Sequence, residues 1–147
     1  MIPSPALWIG LAGLIPFYAA VIWRMFAEGP DANSAEMSFT LYAAVILSFL
    51  GGTRWGREVA QSMGVPRTRE LSLSILPALG GWLAAAAHLG GYQQIAWAGL
   101  ILAFALAFFW DWRGSREGVW PEWYGRLRLI LSFGAVLSAA VMITLNV

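Results

Sequence analysis

Long apolar stretches are the feature that most restricts the fold of this chain. Five of them approach the length of about 20 residues that an α-helix needs to cross a bilayer. They cover residues 6–26, 37–56, 71–89, 92–110 and 127–145. Charged residues make up only 12% of the sequence, whereas soluble domains contain about 25%. The sequence therefore predicts an all-α, polytopic membrane protein in which residues 1–147 form one domain, a bundle of five transmembrane helices.

The arginines predict the orientation of these helices. Every basic residue is an arginine, and eight of the nine lie in two segments, one after the second span and one before the fifth. The first segment contains Arg54, Arg57, Arg67 and Arg69, and the second contains Arg113, Arg116, Arg126 and Arg128. Basic loops stay in the cytoplasm. We therefore expect a cytoplasmic N-terminus, a periplasmic C-terminus and a location in the bacterial inner membrane.

Two spans contain a proline, and one span ends in a run of glycines. Pro16 and Pro77 each remove a backbone hydrogen bond within an apolar span, which predicts a kink. Gly51, Gly52 and Gly56 provide small surfaces, and the last two have the GxxxG spacing that lets helices pack closely. Interrupted spans also occur at the binding sites of transporters. We favour ordinary kinked packing over that alternative.

The nine tryptophans predict aromatic belts at the two membrane interfaces. Trp82 is the exception, because it lies near the middle of the third span. Its indole N–H needs a hydrogen-bond partner at that depth, and we therefore expect Trp82 to face the interior of the bundle. Trp97 is expected toward the interface opposite the arginine-rich segments.

A charge inside the last turns of the second span indicates a candidate site. Arg54 must either reach the interface or pair with an acid, and Asp111 at the end of the fourth span lies at the matching depth. One hypothesis is a pocket that holds an anionic lipid head group or the polar head of a quinone. The other hypothesis is an orientation anchor with an ion pair. The residues of the candidate pocket are Arg54, Trp55, Arg57, Asp111, Trp112, Trp123, Tyr124 and Arg128.

The sequence contains no arrangement typical of an active site. It has no cysteine and a single histidine, His88, which excludes thiolate metal sites and a bis-histidine haem within one chain. The serines lack acid and base partners at the spacing of a hydrolase, and no phosphate-binding glycine loop follows a strand. We therefore predict no enzymatic activity, no cofactor and no metal. The expected partners are membrane lipids and other membrane subunits or a second copy, but not nucleic acid.

Several short motifs together resemble the transmembrane protein 69 family, whose members occur in bacteria and mitochondria. The motifs are GLAGLIPF at residues 10–17, YAA at 42–44, LGGTRWG at 50–56, PALGGW at 77–82, WY at 123–124 and LR at 127–128. The resemblance extends over nearly the whole chain. It implies a multi-span inner-membrane protein, and it supplies no established activity to transfer.

Three functions remain open at this point. The first is that of an accessory or assembly partner of a larger complex, acting through contacts within the membrane. The second is lipid or quinone binding in the arginine and tryptophan pocket. The third is transport through kinked first and third spans. The first is the leading hypothesis, because the sequence shows neither a catalytic arrangement nor an acidic residue at mid-depth for ion coupling.

Overall fold

The structure is a computed structural model that describes residues 1–61 and 64–146, and all of its regular elements are helices. In chain order these are α1 (Ser4–Ala12), α2 (Ile15–Phe26), α3 (Gly29–Gln61), α4 (Thr68–Ser74), α5 (Leu76–Leu89), α6 (Gln93–Arg116) and α7 (Glu122–Thr144). Five segments are long and apolar enough to cross a membrane. They are α1 with α2, α3, α4 with α5, α6, and α7. The predicted all-α class is confirmed, and so is the count of five helical segments that are long and apolar enough to cross a membrane.

A helix break precedes each of the two prolines. Pro16 is the second residue of α2 and Pro77 is the second residue of α5, positions at which the missing N–H costs no helical hydrogen bond. The break between α1 and α2 is covered by a neighbouring helix, because the Tyr42 hydroxyl on α3 donates to the Gly13 carbonyl at 2.8 Å. The first span is therefore joined to its surroundings at the point where its own hydrogen bonding is incomplete.

Helix α3 is the longest element, and it packs against α2, α4, α5 and α6. Its 33 residues give a length of about 50 Å at about 1.5 Å per residue, which exceeds the hydrocarbon thickness of about 30 Å. The sequence predicted only residues 37–56, because apolar content falls at both ends. The polar ends stay helical and form ion pairs instead, Glu36 with Arg24 and Glu58 with Arg67.

Small residues bring α3 into close contact with both α4 and α5. A methyl group added at Gly81 would lie 2.7 Å from Ala44 Cα, and one added at Gly51 would meet the Ser74 carbonyl oxygen. These contacts leave no space for larger side chains at either glycine. Gly52 has no neighbour within 4 Å of its added methyl position and is exposed, and the same holds for Gly56. The expectation that this GxxxG pair packs against a neighbouring helix of the chain is therefore wrong.

The prediction that Trp82 faces the interior is also wrong. Trp82 is 63% exposed, whereas Trp97 is 0% exposed. Helix α5 turns its small residues toward α3, so its bulky indole points outward. The buried indole of Trp97 donates to Thr40 Oγ1 at 3.1 Å, and His88 Nδ1 lies 2.9 Å from the same oxygen. The sole histidine is therefore held in a buried hydrogen-bonded cluster of three helices.

Arg24 joins the ends of three helices on the side of the bundle opposite the arginine-rich segments. Its Nε lies 2.6 Å from Glu36 Oε1 on α3. Its Nη2 donates to the Leu145 carbonyl at 3.2 Å and to Asn146 Oδ1 at 3.0 Å, just beyond the end of α7. A guanidinium at this position satisfies terminal carbonyls of α7 and interacts favourably with its dipole.

Helices α5 and α6 form a tight hairpin, and its turn contains Gly90 and Gly91. The chain turns between Leu89 and Gln93, and Gly91 adopts a φ of +85°, a conformation that a residue with a Cβ rarely adopts. The two helices diverge enough along their outer side to leave a groove between them. This groove leads to the arginine-rich end of the bundle.

Candidate functional site

Three helices meet at a buried carboxylate. Asp111, near the end of α6, places Oδ1 2.7 Å from Arg54 Nη2 on α3 and Oδ2 2.7 Å from Arg128 Nε on α7. Asp111 is 3% exposed and Arg128 is 5% exposed. The structure thus brings together three of the residues that the sequence placed in the candidate pocket. We call these three residues the arginine–aspartate triad.

The triad leaves one positive charge in excess, because one carboxylate is shared by two guanidinium groups. Buried charges are tolerated when they are paired and hydrogen-bonded. Both carboxylate oxygens of Asp111 accept hydrogen bonds, Oδ1 from Arg54 Nε at 3.0 Å and Oδ2 from Arg128 Nε at 2.7 Å. The arrangement both ties α3, α6 and α7 together and keeps a net positive field at this end of the bundle.

Aromatic rings lie against the arginines. The Arg54 guanidinium carbon lies 3.7 Å from the centroid of the Trp110 ring. Trp120, in the connection between α6 and α7, lies 4.9 Å from the guanidinium carbon of Arg57 and 5.8 Å from that of Arg54. Stacking of this kind orients a guanidinium group and favours its charge. Trp110 and Trp120 are therefore the aromatic residues that contact the cations.

The aromatic residues predicted for the pocket divide into two groups. Tyr124 lies 4.8 Å from Trp120, centroid to centroid, and therefore adjoins the arginine cluster. The arginine cluster comprises Arg54, Arg57, Arg67, Arg69 and Arg113. Trp123 also packs against Tyr124, with ring centroids 6.1 Å apart. Trp55 is exposed on the surface of α3, and Trp112 packs against Phe108. The structure does not place Trp55 and Trp112 against these arginines as the predicted pocket requires, because α6 presents Trp110 there and the connection after α6 presents Trp120.

A groove of 750 Å³ runs from the arginine cluster along the outside of α5 and α6. Binding pockets for small molecules have volumes of about 300–1,000 Å³. The floor of the groove is lined by small residues of the two helices, which keep it open. These residues are Gly80, Ala84, Ala87, Ala96, Gly99 and Ala103. Its walls are completed by leucines, so that the groove is apolar along most of its length.

One end of the groove is strongly charged. Its lining there comprises the arginines at positions 54, 57, 67, 69 and 113 and the glutamates at positions 58, 70 and 117. Five arginines face three glutamates, and positive charge is in excess.

Two of these arginines form ion pairs with glutamates. Arg67 lies 2.8 Å from Glu58, and Arg113 lies 2.7 Å from Glu117. Hydrogen bonds to Glu58 raise the pKa of the Arg67 guanidinium above its ordinary value. Arg57 and Arg69 form no ion pair with the part of the chain that the structure describes.

Sequence reasoning missed several of these residues. Trp110 immediately precedes Asp111, so its proximity could have been inferred, but the contact with Arg54 depends on the rotation of α6. Trp120 lies in a short connection whose path the sequence does not specify. Arg67 and Arg69 were recognised as orientation signals only, since nothing in their spacing shows that α4 places them at the end of a groove.

No metal centre is built around the histidine. Within residues 1–61 and 64–146, no group of three or more histidine, aspartate or glutamate side chains could hold a metal ion. His88 lies instead at the end of the bundle opposite the triad, against Thr40 and the ring of Trp97.

Comparison with known proteins relates this architecture to a family. The family model described as "Protein of unknown function (DUF3429)" matches residues 2–144. The chain belongs to the DUF3429 family. The match covers all seven helices of this DUF3429 chain and therefore both the triad and the groove.

Two relatives of the DUF3429 chain extend the comparison to vertebrates. Transmembrane protein 69 of Xenopus tropicalis is 36% identical over 137 residues, which are 92% of this chain and 52% of that protein. Transmembrane protein 69 of Mus musculus is 32% identical over 147 residues, which are 98% of this chain and 57% of that protein. The chain thus spans slightly more than half the length of these relatives. No solved structure matches the chain.

The resemblance to the transmembrane protein 69 family is confirmed by these matches. This DUF3429 chain is a multi-span membrane protein.

Proposed function

We propose that this protein binds an amphipathic molecule with an acidic head, which lies in the groove between α5 and α6 with its head at the arginine cluster. The observation on which this proposal depends is the junction of an apolar groove of 750 Å³ with a lining of five arginines and three glutamates. An apolar chain suits the groove, and an anion suits its charged end. The role is binding and not catalysis.

Arg57 and Arg69 are the arginines best placed to contact the head. They line the charged end of the groove and form no ion pair with the described residues. Arg54 also lines the groove, but its guanidinium is already directed to Asp111. A neutral quinone head would leave the excess charge uncompensated, so the charge favours an acidic lipid over the quinone. The groove is apolar over most of its length, which does not favour the transporter hypothesis.

The test of this proposal compares two amphiphiles that differ only in the head. We would measure the binding of dodecyl phosphate and dodecanol to the purified protein in phosphatidylcholine nanodiscs, by native mass spectrometry. Dodecyl phosphate is expected to bind and dodecanol is not. The Arg57→Gln variant should bind dodecyl phosphate about tenfold more weakly, since a charge-assisted hydrogen bond contributes about 1.5–3 kcal/mol.

Arg116→Gln is the matched control for this experiment. Arg116 lies at the same end of the bundle but does not line the groove, so its substitution removes the same charge without removing a contact. If Arg57→Gln and Arg116→Gln weakened the binding of dodecyl phosphate equally, general electrostatic attraction would explain the binding, and the proposal would be contradicted. Equal binding of dodecyl phosphate and dodecanol would also contradict it.

We further propose that the arginine-rich end faces the cytoplasm, in the bacterial inner membrane, with a cytoplasmic N-terminus and a periplasmic C-terminus. The support is the distribution of the arginines, eight of which belong to one end of the bundle. Because the chain has no cysteine, single cysteines introduced at Arg116 and Asn33 can be labelled without background in intact cells. A membrane-impermeant maleimide should label the Asn33→Cys variant and not the Arg116→Cys variant. The reverse pattern would refute this orientation.

A second candidate function is that of an accessory partner acting through contacts within the membrane. It is favoured by the exposed face of α3, on which Ser48, Gly52 and Gly56 follow one another at four-residue intervals. Such a face lets another helix approach closely. In native-lipid purification, a stoichiometric membrane subunit should be lost from the Gly52→Leu variant and retained by Gly99→Leu, a substitution on the groove. Loss of the subunit from both variants, or from neither, would contradict this function.

A further inference from the structure

The length of the groove indicates how long a hydrocarbon chain it can bind. On α6 the lining includes Arg113 at the charged end and Ile95 at the opposite end. These residues are separated by 18 positions, which is about 27 Å at about 1.5 Å per residue. The hydrocarbon core of a bilayer is about 30 Å thick, so that one leaflet contributes about 15 Å. The groove is therefore longer than a single leaflet is deep.

The distribution of charge along the groove shows where a head can bind. All eight charged lining residues belong to the arginine-rich end. At the opposite end the lining consists of apolar residues such as Ala87, Ile95 and Ala96. A second lipid entering from the other leaflet would therefore find no polar contact for its head within the groove. The geometry fits one amphiphile with a single head and a chain that passes the membrane midplane.

Gly99 marks the part of the groove that only a long chain can reach. It lies 14 positions before Arg113, about 21 Å along the helix axis. A methyl group added at Gly99 would have no neighbour within 4 Å. The space beside Gly99 is thus open and belongs to the groove, so a larger side chain would enter the groove without disturbing the packing of α6.

We propose that the groove binds a linear polyisoprenyl phosphate, with the phosphate at Arg57 and Arg69 and the chain extending along α5 and α6 past Gly99. This inference rests on the proposed function, and it adds the class of the chain. Acyl chains of ordinary phospholipids match one leaflet, whereas polyisoprenyl chains exceed it. The phosphate compensates the excess positive charge at one end of the groove. The long hydrocarbon chain of the ligand, with its small methyl substituents, fits a groove with a floor of glycine and alanine.

The test varies chain length at a constant head. Binding of dodecyl phosphate and of an eleven-isoprene polyprenyl phosphate would be measured with wild-type protein, Gly99→Leu and Gly52→Leu in phosphatidylcholine nanodiscs. Gly99→Leu should weaken binding of the polyprenyl phosphate about tenfold, because its side chain blocks the groove. Binding of dodecyl phosphate, whose chain ends before Gly99, should not change. Gly52→Leu is the control, because Gly52 is equally open but lies outside the groove, and it should change neither.

Each alternative ligand has a defined outcome. Equal binding of dioleoyl phosphatidic acid and the polyprenyl phosphate, both insensitive to Gly99→Leu, would identify a general lipid head-group site and overturn the inference. Displacement of the polyprenyl phosphate by a long-chain quinone would overturn the assignment of the phosphate. Displacement by inorganic phosphate at the same concentration would show that the chain contributes nothing and would overturn it as well.

Failure of the inference is distinguishable from failure of the proposed function. If wild-type protein binds dodecyl phosphate but Gly99→Leu does not discriminate between the two chain lengths, only the class of the chain is wrong. If wild-type protein binds neither phosphate, the proposed function itself is wrong. If Gly99→Leu weakens both ligands equally, the chain does not reach Gly99 selectively and the inference is overturned.

Discussion

The Asp111→Asn variant tests whether the arginine–aspartate triad holds the bundle together. The substitution preserves the size of the side chain and removes its charge, which leaves Arg54 and Arg128 side by side without a compensating acid. Asp111 is buried and so is Arg128. Breaking a buried ion pair on one side costs about 3–5 kcal/mol, because the remaining charge stays buried and unpaired. We therefore expect the free energy of unfolding to fall by about that amount.

The matched control is an ion pair of the same chemistry at the surface. Arg113 and Glu117 lie 2.7 Å apart with side chains that are 79% and 53% exposed. Exposed pairs at this spacing contribute about 0.3–0.5 kcal/mol, so Glu117→Gln should change stability little. Unfolding would be followed by circular dichroism during denaturation in identical nanodiscs, for both variants and the wild type.

A double variant separates the loss of a charge pair from other effects of the asparagine. Removing Arg128 in the Asp111→Asn background takes away one of the two uncompensated charges. Asp111→Asn/Arg128→Met should therefore lose less stability than the sum of the two single variants, with a coupling of about 0.5–3 kcal/mol. This prediction would be refuted if the two variants Asp111→Asn and Glu117→Gln lowered the free energy of unfolding by amounts within about 1 kcal/mol of each other. The buried triad would then contribute no more to stability than a surface ion pair does.

Two further pairs of variants test the packing. Gly51→Ala should lower stability by about 1–3 kcal/mol in the same denaturation assay, because its methyl group meets a backbone carbonyl at the break before α5. Gly52→Ala should instead raise stability by about 0.5–1 kcal/mol, since the position is open and alanine favours helix; equal effects at the two glycines would contradict the packing. Trp97→Phe should lower the free energy of unfolding by about 1–3 kcal/mol, because it removes the indole donor to Thr40. Trp82→Phe should leave the free energy of unfolding nearly unchanged. A larger loss from Trp82→Phe than from Trp97→Phe would indicate that Trp82 faces the interior.

Hydropathy was sufficient to predict the five membrane-spanning segments. A continuous apolar stretch of about 20 residues is a helix in lipid, since a helix hydrogen-bonds its backbone groups within its own segment. The ends of α3 were underestimated for a related reason. Glu36 and Glu58 reduce hydropathy, but a helix continues through polar residues when each finds an ionic partner, as these two do.

The rotation of each helix about its axis could not be predicted. Lipid is as apolar as the interior of the bundle, so hydrophobicity does not distinguish a lipid-facing side chain from a buried one. Close packing of small residues decides instead. The contact of Gly81 with Ala44 directs Trp82 outward, and no pattern within a single span shows which partner a small residue will meet.

The same limit applies to the candidate site. Arg54, Asp111 and Arg128 could be grouped by depth alone, because a buried charge requires an opposite charge at the same level of the membrane. The aromatic partners could not be grouped in this way, because Trp110 and Trp112 lie at nearly the same depth on different sides of α6. Of these two tryptophans, Trp110 is the one that lies against Arg54. The groove was not foreseen, since it results from the separation of two helices along their outer side.

The sequence left two hypotheses for the arginines, a structural anchor with an ion pair and a binding site. In the structure different arginines suit the two roles. Arg54 and Arg128 are directed to Asp111 and hold three helices together, which is the role of a structural ion pair. Arg57 and Arg69 line the charged end of the groove without an ion pair among the described residues, which is the condition for contacting an external anion. Because the shared carboxylate leaves one charge of the triad uncompensated, the structural pair also adds to the field that attracts that anion. Substitutions at the triad should therefore act first on stability, and substitutions at Arg57 and Arg69 first on binding.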